Sequence, residues 1–191
     1  MLKDLILKNR SYRSFNETRK ITREELEDMI SCARITPSSV NIQPLKYYLA
    51  WENEPVSKIQ PLTKWAGLLK EFKLPPKGHS PTAFIIICFD SEVIASANSF
   101  QKDVGIVAQT IMLAATEKGL GGCMIGSFDS EELIKALNLS ENIKPALVLA
   151  LGEPDDKIVL TEIQQDGKTS YFRKDNIHYV PKRNLNDLII N

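Results

Sequence analysis

The chain has 191 residues, 43% of them hydrophobic and 25% charged, which is the make-up of an ordinary globular protein large enough to bury a core. Lysine plus arginine equals aspartate plus glutamate, 24 of each. That neutral balance argues against a nucleic-acid or anionic-membrane partner, both of which call for a basic surface, but it leaves room for a local basic pocket.

In chain order, MLKDLILKNR is apolar but broken by Lys3, Asp4 and Lys8, too short and too charged for a signal segment or a membrane span. Leu2, Leu5 and Ile6 share a helical face, so a short first helix is expected there. In ITREELEDMISCAR, Thr22 followed three residues later by Glu25 reads as a capping box, and Leu26, Met29, Ile30 and Ala33 recur at helical spacing. Pro37 ends that helix and TPSSVNIQP is a loop. KYYLAW reads as a strand by its aromatic content.

A helix is expected over VSKIQPLTKWAGLLKEF, limited by Pro61. TAFIIICF is a continuous apolar run of strand length, as in a buried central strand. NSFQKDVGIVAQTIMLAATEKG is the strongest helix; its apolar residues cover more than one face, which suits a core or an oligomer interface, and Gly119 is placed to stop it. GGCMIGSF is strand-like, DSEELIKALNL is a helix capped by Asp129 or Ser130, and PALVLALGEP is a second buried strand. The last forty residues are more polar, and RNLNDLII closes the chain. With no repeat or linker, residues 1–191 read as a single α+β domain, a sheet core sandwiched by helices.

The familiar chemistries find little support. His79 and His178 are the only histidines, and neither lies at ligand spacing from another His, Cys or carboxylate cluster, so no metal site is expected. A Ser-His-Asp triad needs no sequence proximity and stays open, without a GxSxG elbow to favour it. GLGGCMIG follows a helix and precedes a strand, the reverse of the dinucleotide fingerprint. Cys32, Cys88 and Cys123 are scattered and form no CxxC, as suits reduced thiols in a cytoplasmic protein.

Three polar stretches remain. NRSYRSF packs Arg10, Ser11 and Arg13 near the start; PSSVNIQP packs Pro37, Ser38, Ser39 and Asn41 between prolines; VPKRNL adds Lys182 and Arg183. Each has a plain reading, as a helix-end surface, a hydrophilic turn and a surface charge pair respectively. Together they could form one pocket for a phosphorylated heterocycle, because Arg holds phosphate through parallel N–H bonds and Asn and Ser match the polar edges of a ring. The adjacent Gly121 and Gly122 suggest a close approach to the backbone.

In this order the stretches resemble the nitroreductase family of flavoenzymes, over essentially the whole chain: RSYRSF, ARITPSSVNIQPLKYYLA, AATEKGLGGCMIGSF and YVPKRNLNDLI. The resemblance implies a three-layer sandwich with a central, mostly antiparallel sheet, a homodimer formed through the long helix, and one FMN per subunit at the interface. It implies that Arg10, Ser11 and Arg13 meet phosphate and ring. Pro37, Ser38, Ser39 and Asn41 would touch the partner's flavin, Gly121 and Gly122 would lie along the isoalloxazine, and Lys182 and Arg183 would complete the phosphate grip. Asn9 departs from the pattern: it stands where members often carry a further arginine, and it can hydrogen-bond but carries no charge. The implied activity is hydride acceptance from NADH or NADPH and ping-pong reduction of a small electrophile such as a nitroaromatic, quinone or enone. A flavin carrier or sensor without turnover is the alternative with the same pocket. Residues 54–80 are read as pocket walls, with Trp65, Phe72 and Leu74 lining the entrance or packing beneath the loop.

Overall fold

The computed structural model describes residues 1–69, 71–95, 100–163 and 167–191. Its helices are α1 (Leu2–Lys8), α2 (Arg23–Arg34), α3 (Asn53–Ile59), α4 (Gln101–Glu117) and α5 (Ser130–Ala136). Its strands are β1 (Phe15–Asn16), β2 (Leu45–Ala50), β3 (Ala83–Asp90), β4 (Gly121–Ile125), β5 (Ile143–Pro154), β6 (Lys157–Glu162), β7 (Phe172–Lys174) and β8 (Ile177–Lys182).

The two apolar runs form the centre. β3 pairs with β5 antiparallel, Ile85 opposite Leu149, and β2 pairs with the other edge of β3. β4 and β1 both pair antiparallel with β5, giving the order β1-β5-β3-β2 with β4 also on β5. Strand alternation divides β3 between two cores. Ile85 and Ile87 face α2 and α4, packing with Leu26, Met29, Ala108 and Ile111. Phe84, Ile86 and Cys88 face the opposite side, with Ile59 of α3 and Leu133 of α5. Helices therefore cover both faces of an antiparallel sheet, the expected α+β sandwich.

Local sequence explains the helix ends. The Thr22 hydroxyl accepts the Glu25 N–H at 3.3 Å and the Glu25 carboxylate accepts the Thr22 N–H at 3.0 Å, so the capping box closes both ways. Asp129 caps α5 by accepting the Glu132 N–H at 3.1 Å. α4 ends as a Schellman turn: Gly119 sits at φ +74°, its N–H donates to Thr116, and the Leu120 N–H donates to Ala115. The expected start of this helix at Asn98 and Ser99 lies outside the described residues.

One expectation fails, and one sheet has no counterpart in the sequence reading. The helix read over residues 56–72 stops at Ile59, because Pro61 has no N–H to continue it and the chain turns through a 3-10 segment at Gln60–Leu62; Lys70 within that span lies outside the described residues. The polar end of the chain builds a second sheet, in which β6 runs parallel to β8 and β7 closes on β8 as a hairpin. Its turn, Asp175–Asn176, has positive φ at both residues, as a two-residue hairpin of the I′ type requires. No helix among the described residues is long and apolar enough to cross a membrane.

Candidate functional site

The segment after α1 runs beside β4 and positions the basic residues. Ser11 bridges to Gly122 in parallel, and the Tyr12 N–H donates to the Gly122 carbonyl at 2.9 Å. Close approach is why glycines stand here. A Cβ on Gly122 would lie 2.1 Å from the Ala150 carbonyl oxygen, and one on Gly121 would lie 2.6 Å from the Tyr12 ring. The groups pressing on these two backbones are thus the chain's own.

Between this segment, α4 and the second sheet lies a cavity of about 340 Å³. Asn9, Arg10, Ser11, Arg13, Gly122 and Lys182 all line it, so the first and last polar stretches do meet. The described residues lining it include no carboxylate, which leaves three cations facing one space.

Arg13 is 8% exposed. Its Nη1 donates to the Ser11 carbonyl at 3.2 Å and lies 3.4 Å from His178 Nε2, and its guanidinium sits 5.0 Å over the Tyr171 ring. Arginine has donors only, so His178 Nε2 must accept, and the neutral ring carries its proton on Nδ1. Burial, with Arg13 and Arg173 nearby, lowers the His178 pKa to about 4. Arg173 is paired with the buried Asp156 at 2.7 Å, and the same carboxylate accepts the Arg13 backbone N–H. Burial holds Asp156 above the ordinary carboxylate range despite these partners. Arg10 Nε, Arg13 Nε and His178 Nδ1 are buried without a partner among the described residues. Unmatched buried donors beside a cationic cavity are what an anionic ligand satisfies.

The middle stretch goes elsewhere. Pro37 and Ser38 line a separate cavity of about 290 Å³ between α2, β2 and α4, together with Tyr47 and Asp103. Ser39, Asn41, Gly121 and Arg183 line neither cavity. α4 walls both, through Gln109 and Met112 on one side and Asp103 and Val107 on the other. Trp65, Phe72 and Leu74 do not line the basic cavity; Trp65 donates to Thr63 Oγ1 at 2.9 Å and packs edge-on to Phe15.

Sequence reasoning missed His178, Tyr171, Gln109 and Met124. A signal for the first was present. Read as a strand, IHYVPK puts His178, Val180 and Lys182 on one face at period two, and all three line the cavity.

Comparison with known proteins agrees with this architecture. The nitroreductase family model matches residues 6–153. A candidate NADH dehydrogenase/NAD(P)H nitroreductase of Archaeoglobus fulgidus is 26% identical, over 91% of this chain and 94% of its own. An NADPH-flavin oxidoreductase of Vibrio harveyi is 28% identical, over 80% of this chain and 65% of its own. Among solved structures, a candidate nitroreductase from Exiguobacterium sibiricum 255-15, in complex with FMN, has the same fold, with a TM-score of 0.68 at 20% identity over 82% of this chain and 89% of that one. A family match over residues 6–153 of 191, on a fold of the same kind, assigns the chain: it belongs to the nitroreductase family.

Proposed function

We propose that the protein is an FMN-dependent NAD(P)H oxidoreductase that reduces a small electrophile, such as a nitroaromatic, quinone or enone, by a ping-pong mechanism. One observation carries the cofactor assignment: Arg10, Arg13 and Lys182 face a single cavity that no described carboxylate lines, with two arginine Nε atoms buried and without a partner among the described residues. That donor set fits a phosphate and the acceptor edge of a ring. The Vibrio harveyi relative, by its name a flavin oxidoreductase, supports the same reading. Bound flavin would supply the redox chemistry, accepting hydride from NAD(P)H and passing electrons to the second substrate.

The chain's own part is binding, orientation and charge. Arg10, Ser11 and Lys182 hold the phosphate end and Gly122 flanks the ring, all four from the cavity wall, while Arg183 and Gly121, which line neither cavity, join them from the adjoining stretch of chain in this reading. Arg13, fixed by His178 and Tyr171, stabilises negative charge as it develops near it. Pro37 and Ser38 line a different cavity from Arg10 and Arg13, and Ser39 and Asn41 line neither, so in this reading the four serve the site of a second copy in a cytoplasmic homodimer.

Titrating the purified protein with FMN and following flavin fluorescence tests the cofactor. Saturable quenching, weakened about tenfold in Arg13→Ala, is expected; unchanged binding and turnover in Arg13→Ala would remove Arg13 from the account. Initial rates with both substrates varied test the kinetic scheme, and lines that intersect instead of running parallel would exclude ping-pong.

A further inference from the structure

Asp103, in the first turn of α4, is 2% exposed and lies among buried apolar residues. Its carboxylate receives three hydrogen bonds from the polar loop: Ser38 Oγ at 2.6 Å, Ser39 Oγ at 2.6 Å and the Ser39 backbone N–H at 2.9 Å. The loop beyond is held in an unfavourable shape. Val40, Asn41 and Gln43 all have positive φ, between 52° and 56°, and Val40 is a β-branched residue 92% exposed to solvent. Such a backbone persists only where surrounding bonds over-determine it. The loop's own bonds start from the same anchor: the Asn41 N–H donates to the Ser38 carbonyl, the Ile42 N–H to the Ser39 carbonyl and the Gln43 N–H to Ser38 Oγ.

We propose that Asp103 is a positioning residue, whose carboxylate turns the Ser38 and Ser39 hydroxyls inward and so fixes which groups the loop presents to the flavin of a second copy. The inference rests on the proposed flavin function for its ligand, but not for its geometry. Both serine hydroxyl protons are spent on Asp103, so toward a ligand these side chains offer lone pairs only. The Asn41 carboxamide oxygen already accepts from Gln43 Nε2 at 3.1 Å, which leaves the Asn41 NH₂ as the loop's outward side-chain donor. A ring carbonyl is the matching ligand atom. The strained loop is therefore a preformed acceptor-recognition element, and a helix carboxylate that never reaches the ligand sets its polarity.

The test compares wild type, Asp103→Asn, Ser38→Ala/Ser39→Ala and the triple variant in two measurements. Hydrogen exchange of the amides of residues 39–43 needs no cofactor. It should speed up about tenfold or more in Asp103→Asn, while α2 amides keep their protection. FMN affinity should fall about tenfold in Asp103→Asn and in the double serine variant, with little further loss in the triple variant, because the residues act as one unit. Unchanged loop exchange in Asp103→Asn, or affinity losses that multiply in the triple variant, would overturn the proposal. If wild type binds no FMN, the flavin reading fails, and the exchange measurement alone decides whether Asp103 holds the loop. If Asp103→Asn does not fold, Ser38→Ala and Ser39→Ala taken singly carry the same two measurements.

Discussion

His178 shows how one buried side chain sets a pH dependence. Its pKa is about 4 in the folded protein, depressed first by burial and then by Arg13 and Arg173, against an ordinary value near 6.5. Between those values the unfolded chain binds a proton that the folded chain refuses. Stability is therefore complete above about pH 6.5 and falls as pH drops toward 4, by about 3 kcal/mol in all. Asp156, the carboxylate beside Arg13 and Arg173, has a raised pKa and acts in the opposite sense, at the acid end of this window. Urea midpoints should rise from pH 4.5 to 6.5 in wild type and lose most of that slope in His178→Gln. Gly122 makes a simpler prediction. A methyl group there meets the Ala150 carbonyl oxygen at 2.1 Å, on a backbone that β5 holds in place. Gly122→Ala should cost about 3 kcal/mol in urea unfolding, with loss of the Ser11 bridge and of flavin binding.

Elements differed in how far the sequence revealed them, and the difference follows the range of the forces. α2 was readable because Thr22 and Glu25 cap it locally, and β3 and β5 because an unbroken apolar run has nowhere to lie but in a core. The stop at Gly119 was readable because a left-handed residue is needed there; Gly119→Ala should cost about 1 kcal/mol by thermal unfolding. The second sheet was not readable. β6 finds its parallel partner β8 across the intervening chain, and nothing local in KIVLTE announces that pairing. The same blind spot hid His178, which β8 carries into the cavity. At the site, Arg10, Ser11, Arg13, Gly122 and Lys182 come together as the polar stretches suggested, whereas the serines of PSSVNIQP turn toward a carboxylate on α4, a residue no spacing rule connects to them.

At the scale of the molecule, one protomer leaves apolar surface uncovered. Leu2, Ile6 and Leu7 of α1 are exposed, as are Val40, Ile106, Leu185 and Leu188. A second copy is the occupant that the proposed function supplies, so light scattering should give twice the 21.5 kDa chain mass at micromolar concentration. Ile6→Asp should shift the mass toward one chain and weaken FMN binding with it, if both copies build each site. The central claim concerns chemistry, and one measurement meets it directly: the visible spectrum of the purified protein with FMN, before and after anaerobic NADH or NADPH. The account predicts flavin bands that bleach within seconds and return when an electron acceptor is added. Bands that persist with both nucleotides, or a protein that stays colourless in excess FMN, would contradict it.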